Sequence, residues 1–326
     1  MEWVERWNDA IRYIEENMTQ RIDYEQLGRI ACCSAYHFQR MFAYMAGIPL
    51  SEYIRRRKMS LAAVELQSGR ERMIDIAWKY GYHSPTAFNR AFRDVHGCSP
   101  TAVRRGTGAV TSFPPISFQF IAKGVEPMHY RLERKEAFRI VGAAAPLHRE
   151  LEKNFAVVPK LWETCLANGT IEKLSKMASG TPAGLLGISV CGDAEQWRYF
   201  IAVAAAQDSP EFETYMIPAA TWAVFPGTGT NKDVQEMERR IFTEWLPTSG
   251  YAYGNAPDIE VYLHPDPEHT VFEIWVPVEK NHRPNIALPE GAVNSPLRSL
   301  TKRERIPWYP LPLGFSPAAR SPDPGA

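Results

Sequence analysis

The chain has 326 residues, 45% of them apolar and 23% charged, and its 37 basic residues balance 37 acidic ones, the make-up of a globular protein of two or three domains. No run of about 18 apolar residues occurs and no apolar stretch follows a basic N-terminus, so neither a membrane span nor a signal peptide is expected. Five cysteines without any C-x-x-C spacing argue against a disulfide framework or a zinc ribbon and suit a reducing cytoplasm.

Taken in chain order, residues 3–17 repeat Trp3, Val4, Trp7, Ile11 and Ile14 at helical spacing. Asp23 starts a short helix through Ala31, and Cys32-Cys33-Ser34 is a turn, its cysteines read as small buried hydrophobes. Ser34 caps a helix that ends at Gly47, and Leu50 to Leu66 forms a longer one. Its roughly 17 residues span about 25 Å. A second copy follows. Met73–Trp78 is helical, Tyr80–His83 turns, Ser84 caps a helix to about His96, and Ser99-Pro100 opens a closing helix. Both copies carry Phe, Arg, Phe at alternate positions, Phe38-Arg40-Phe42 and Phe88-Arg90-Phe92. Such a repeated helix-turn-helix would read two stretches of one DNA face.

Beyond a small-residue linker at 107–112 the pattern changes. Strands are expected at Ile116–Ile121, His129–Leu132 and Phe138–Ala145, then a helix from about Leu151 to Leu166. Leu185–Val190 and Tyr199–Ala205 read as a hairpin around Gly192-Asp193, and Thr214–Phe225 as one strand. A helix carrying Val234, Met237, Ile241 and Trp245 precedes a last hairpin, Ile259–Leu263 with Val271–Val278. The order is β-α-β-β twice, a second duplication, expected as an antiparallel sheet with helices on one face. Residues 281–326 hold nine of the 26 prolines and are expected to be extended or disordered, with Trp308–Leu313 as their apolar cluster. Net charge divides with these parts: +4 over 1–110, −7 over 111–280 and +3 over 281–326.

Residues 5–105 resemble the DNA-binding domain of AraC/XylS-type transcriptional regulators. Ile76-Ala77, Gly81-Tyr82, Phe88, Arg90, Phe92, Gly97 and Ser99-Pro100 fit its signature in order. Residues 113–280 resemble the GyrI-like effector-binding domain, on Ile140-Val141-Gly142, Trp245-Leu246-Pro247, Asp258–Tyr262 and Phe272–Pro277. The resemblance implies a Rob-type layout in a bacterial regulator: a double helix-turn-helix over 1–106, a linker, an effector domain over 113–280 and a tail outside both patterns. The expected partners are double-stranded DNA, a small-molecule effector and RNA polymerase, with no membrane and no need to dimerise.

Carried over onto this chain, the DNA-facing residues are Ser34, Tyr36, Gln39 and Arg40 in the first reader helix and Ser84, Thr86, Asn89 and Arg90 in the second. Positions 36, 39 and 40 share one helix face, away from Phe38, Met41 and Phe42. Arg forks onto guanine and Gln onto adenine. The second unit, with Pro85 and Thr86 where relatives carry longer polar side chains, is expected to lean on phosphate contacts and DNA shape. Arg55, Arg56, Arg57 and Lys58 form a positive cluster that either touches phosphate or is a solvated face. In the effector half, strand parity puts Glu260 on one face with Tyr262 and Asp258. Either that face is wet, or Glu260 lies at the bottom of an aromatic pocket walled by Tyr262, Trp275, Trp222, Phe225 and Trp162. Such a pocket suits an amphipathic or cationic organic ligand. Two other readings of this half stay open: hydrolysis, with Glu260 as base and Tyr262 as acid, and binding of a protein partner. No P-loop, G-x-S-x-G, H-E-x-x-H or dinucleotide fingerprint occurs, so no cofactor, metal or catalytic role is expected. His264 and His269 read as loop residues.

Overall fold

A computed structural model describes residues 2–119, 127–191, 196–264 and 269–280. The tail, the Gly192-Asp193 turn, the Lys123-Gly124 connection and the loop Pro265–Glu268 lie outside the described residues. The chain divides into two compact units: residues 1–126 with 149–152 and 247–249, and the remainder. No helix among the described residues is long and apolar enough to cross a membrane.

The first unit is helical: α1 (Glu2–Glu16), α2 (Tyr24–Ala31), α3 (Ala35–Ala46), α4 (Leu50–Ser68), α5 (Met73–Lys79), α6 (Pro85–His96) and α7 (Pro100–Arg104). The start signals act as the sequence suggests. The side chains of Asp23, Ser34, Ser84 and Ser99 each accept from a backbone N–H of the first turn that follows, satisfying donors that the helix leaves unpaired. Gly47 and Gly97 end α3 and α6 at φ 70° and 72°, where a side chain would be strained. Trp7 stacks on Phe38 at 4.5 Å, and Phe42 packs on Tyr53. Met59, Leu66, Ile76, Phe88, Phe92 and Val103 close a second core around α4. The connector α4 runs for 19 residues, about 28 Å at 1.5 Å per residue.

No strand forms over the described part of Ile116–Ile121. The main chain of Phe118 is paired instead with a side chain, accepting from Asn8 Nδ2 at 3.0 Å and donating to Asn8 Oδ1 at 2.8 Å. Its ring meets Trp7 and Phe42 edge-on. The segment is therefore a strap on the helical unit.

The second unit holds one antiparallel sheet. Its strands are β1 (Arg131–Lys135), β2 (Phe138–Pro146), β3 (Leu185–Val190), β4 (Arg198–Ala204), β5 (Glu213–Ile217), β6 (Ala220–Gly229), β7 (Tyr251–Tyr253), β8 (Ile259–His264) and β9 (Thr270–Lys280). Helices α8 (Val157–Ala167), α9 (Thr170–Met177) and α10 (Asn231–Arg240) lie between strands in sequence. The sheet order is β1-β6-β9-β8-β3-β4-β2-β5, with β7 on β9. The stretch Thr214–Phe225 is two strands rather than one, because Pro218 offers no N–H to a ladder. The expected helix from Leu151 becomes a 3₁₀ turn, Leu151–Phe155, followed by α8.

The duplication is visible in the register. Adding 73 to each residue number carries the pair Ile188↔Phe200 onto Val261↔Glu273. The same shift carries Gly187 onto Glu260, and these two are paired with each other. The pseudo-twofold axis therefore passes through the Gly187–Glu260 pair. The short strands are exchanged between repeats, β1 pairing β6 and β5 pairing β2.

The two sheet faces differ. Side chains of directly paired residues point the same way, so Val224, Trp275, Ile259, Ile188 and Phe200 share one face, and all are buried together. On this face the rings of Phe138 and Trp222 are 6.2 Å apart, although four strands lie between β2 and β6. A flat sheet would hold them about 24 Å apart at 4.8 Å per strand. The sheet is therefore curled, with this face inside. Glu260, Ile274 and Phe225 share the other face, against which α8 and α10 are packed.

Candidate functional site

Helix α6 presents an open side. Ser84, Thr86 and Arg90 are exposed and Asn89 is half-buried, while Phe88, Ala91 and Phe92 face the core. The Oδ1 of Asn89 is buried and meets no donor among the described residues. Helix α3 differs. Ser34 and Arg40 are half-buried, but Tyr36 is 6% and Gln39 1% exposed. The expectation that Tyr36 and Gln39 stand free on the outer face is thus corrected. The cause is that the Gln39 carboxamide is used internally: Nε2 donates to Ala35 O at 3.2 Å and Arg149 O at 2.8 Å, and Oε1 accepts from Leu151 N. Residues 149–152 cluster with the helical unit. Arg40 Nε lies 3.4 Å from Tyr44 Oη.

The connector's cations are also engaged. Arg55 and Arg56 bind Glu52 at 2.7 and 2.5 Å. Arg57 is buried, donating to Glu15 at 2.6 Å and to Phe113 O, and its charge is held more firmly by the Glu15 carboxylate. Lys58 reaches Tyr80 O, and burial lowers its pKa. Arg57 is thus not part of a solvated face, while Arg55 and Arg56 stay partly exposed in their pairs with Glu52. Cys32 is exposed, with Arg6 Nη1 2.9 Å from its sulfur, and so is not the small buried hydrophobe expected, while Cys33 is half-buried and burial pushes its thiol pKa up.

In the second unit the outer sheet face gathers a compact set around Glu260. The Tyr262 hydroxyl donates to Glu260 Oε2 at 2.9 Å. Trp162 of α8 meets the Tyr262 ring edge-on at 5.4 Å and donates its indole N–H to Tyr199 Oη at 3.1 Å. Gly187, the axis mate of Glu260, makes room for them. A Cβ there would lie 2.5 Å from Tyr199 Oη and 2.9 Å from Glu260 Oε2. Burial, and then the Glu260 charge, pushes the Tyr262 phenol well above its ordinary value, with further contributions from Tyr199 and Glu238. Tyr262 is thereby held as a neutral donor.

Trp162, Tyr262 and Glu260 come together as expected, and Phe225 shares their face. Its described ring contacts, however, are with Tyr130 at 5.7 Å and Trp245 at 4.9 Å. Trp222 and Trp275 do not belong. Trp275 pairs Ile259 and Glu260 pairs Ile274, so both tryptophans point into the curled interior. There Trp275 Nε1 donates to Glu273 at 2.9 Å. Tyr199 was not singled out from the sequence, since its place depends on the β3–β4 register. No group of three or more His, Cys, Asp or Glu among the described residues is arranged to hold a metal ion.

Comparison with known proteins assigns both halves. Residues 27–106 match a helix-turn-helix domain family, and residues 128–279 match the GyrI-like small molecule binding domain. The HTH-type transcriptional activator AarP of Providencia stuartii is 37% identical over 97 residues, which is 30% of this chain and 72% of that protein. The right origin-binding protein of Escherichia coli is 25% identical over 270 residues, 78% of this chain and 89% of its own. Among solved structures, a Staphylococcus aureus protein described as a bacterial transcription regulation protein is 25% identical, with a TM-score of 0.39, covering 47% of this chain and 99% of that one.

Proposed function

The chain belongs to the AraC/XylS family of DNA-binding transcriptional regulators, with a GyrI-like small-molecule-binding domain behind its DNA reader, and from that premise we propose that it activates transcription when an amphipathic organic cation occupies the Glu260 site. The observation that carries this reading is a partly buried carboxylate on a sheet face, walled by Tyr262 and by the indole of Trp162. A carboxylate set among aromatic rings gives the face negative charge beside π surfaces, and both favour an organic cation.

On DNA, α6 offers Thr86, Asn89 and Arg90 to a major groove, and α3 offers Arg40, the half-buried cation of the first reader. Activation implies contact with RNA polymerase, and the protein would work in the cytoplasm where its operator lies.

Hydrolysis is disfavoured. A phenol driven well above its usual pKa is a poor proton donor to a leaving group at neutral pH, and here it donates to the very carboxylate that would serve as base. The decisive experiment is calorimetric titration of the full chain with a lipophilic monocation such as tetraphenylphosphonium. Binding is expected for the wild type and a loss of about tenfold or more for Glu260→Gln. Equal affinity in the two proteins overturns the assignment, and turnover of an electrophilic ester by the wild type alone would favour the hydrolase.

A further inference from the structure

Residues 111–118 cross the helical unit without forming a helix or a strand, and their two ends touch the two reader helices. At one end Thr111 N donates to Nδ1 of His96, the last residue of α6. At the other the Phe118 ring meets Phe42 of α3, and the Phe118 main chain is held by Asn8 of α1. Between these ends the chain lies along α4. Phe113 N donates to Ser60 Oγ at 3.0 Å, Phe113 O accepts from Arg57, and Ile116 N donates to Tyr53 Oη at 3.4 Å. Residue numbers rise along the strap as they fall along α4, so the two run antiparallel. From Ser60 to Tyr53 is seven residues of α4, about 10 Å. From Phe113 to Ile116 is three residues, about 9 Å when extended, so an extended strap keeps step with the side chains that hold it. The two residues in between are Pro114 and Pro115, which fix φ and bring no N–H that would need a partner.

We propose that residues 111–118 are a brace that fixes the spacing and angle between α3 and α6, so that the protein selects operators by the number of base pairs between two half-sites. Ser60, Tyr53 and Asn8 are its positioning residues. The inference rests on both helices entering DNA, as proposed above. Each reader sits in a core of its own, Phe38 and Phe42 with Trp7 in one, Phe88 and Phe92 with Ile76 in the other, and α4 packs on both α3 and α6. A single rod between two cores sets their distance but yields to twist and bend. A second tie beside it, stiffened by two prolines, resists both. DNA makes that resistance a source of selectivity. One turn is about 34 Å and about 10 base pairs, so each added pair moves the second half-site by about 3.4 Å and turns it by about 35°. A loosely joined pair of readers follows such a change, and a braced pair does not.

The test titrates the full chain by fluorescence anisotropy against an operator selected from random DNA, with one base pair added to or removed from between its half-sites. For the wild type either change should cost about tenfold or more in affinity, the worth of one good base contact. Pro114→Gly with Pro115→Gly softens the strap without removing a hydrogen bond, and should reduce that penalty to about threefold or less. Asn8→Ala and Ser60→Ala each free one anchored main-chain group and should act in the same direction. If either of these fails to fold, the double proline variant, whose two changed side chains are exposed, carries the test. Loss of stability alone would lower affinity at every spacing by one factor and leave the shape of the profile unchanged. Equal spacing penalties in the wild type and the proline variant, or a wild type indifferent to spacing, overturn the brace. Scrambling each half-site in turn separates this from the reading beneath it. If both half-sites matter, that reading stands whatever the spacing profile shows; if one can be scrambled without loss, a single helix reads the DNA and the brace falls with its premise.

Discussion

His96 ties the end of α6 to two main-chain groups: Nε2 lies 3.1 Å from Met59 O, and Nδ1 accepts from Thr111 N at 3.2 Å. These contacts require the neutral ring, and burial lowers its pKa despite both bonds. A histidine whose folded pKa lies below its unfolded value of about 6.5 contributes fully above that value, and the contribution is lost as pH falls through the folded pKa. The melting temperature of the full chain should therefore drop between pH 7.5 and 5.5, and His96→Gln should flatten the drop. An unchanged pH slope in the variant would remove this role. Trp222 offers a second check. It is wholly buried, and its Nε1 has no partner among the described residues. An unmet buried N–H costs about 1–3 kcal/mol, which offsets the packing that Phe would lose. Trp222→Phe should thus change the unfolding free energy by less than about 1 kcal/mol, against about 3–5 kcal/mol for Trp222→Ala. Trp275→Phe, which breaks a bond to Glu273, should cost more than Trp222→Phe. Urea unfolding of the three variants decides the order. Sequence parity was enough to group Glu260 with Tyr262, because both lie on one strand. It could not place Trp275 or Trp222, because which face they share with Glu260 is set by register between strands, a non-local property.

At the scale of elements, start and stop signals were legible and pairing was not. Serine caps and glycine ends bounded α3 and α6 because each acts within one turn of chain. The strand expected near Ile116 failed because its main-chain groups found a side chain, Asn8, before a neighbouring strand. The same limit applies to the two reader helices. They share Phe, Arg and Phe at matching positions, yet α6 keeps an open polar side while α3 has Tyr36 and Gln39 buried. This asymmetry makes a prediction at its own scale. In gel-shift titration against a selected operator, Arg90→Ala should lose about 1–3 kcal/mol of specific binding. Arg40→Ala, already half-buried and beside Tyr44, should lose less. The reverse order would restore the first helix as the principal reader.

For the whole molecule the relevant fact is that a DNA reader and a small-molecule domain share one chain of 326 residues. The charge of the first 110 residues is +4 and that of the next 170 is −7, so attraction for DNA resides in the head, and the body must act on it by linkage rather than by touching phosphate. Linkage is reciprocal. If an organic cation changes operator affinity by some factor, the operator must change cation affinity by the same factor, typically 5–150-fold for a coupling of about 1–3 kcal/mol. Titrating tetraphenylphosphonium into the full chain, with and without saturating operator, measures one side of this cycle, and operator titration with and without the cation measures the other. Equal factors different from one are expected. Cation affinity indifferent to the operator, alongside Glu260-dependent binding, would mean that the ligand controls a step after DNA binding, such as polymerase contact. Salt must be held constant throughout, because each neutralised phosphate steepens the dependence of the operator arm on ionic strength and leaves the cation arm far less affected.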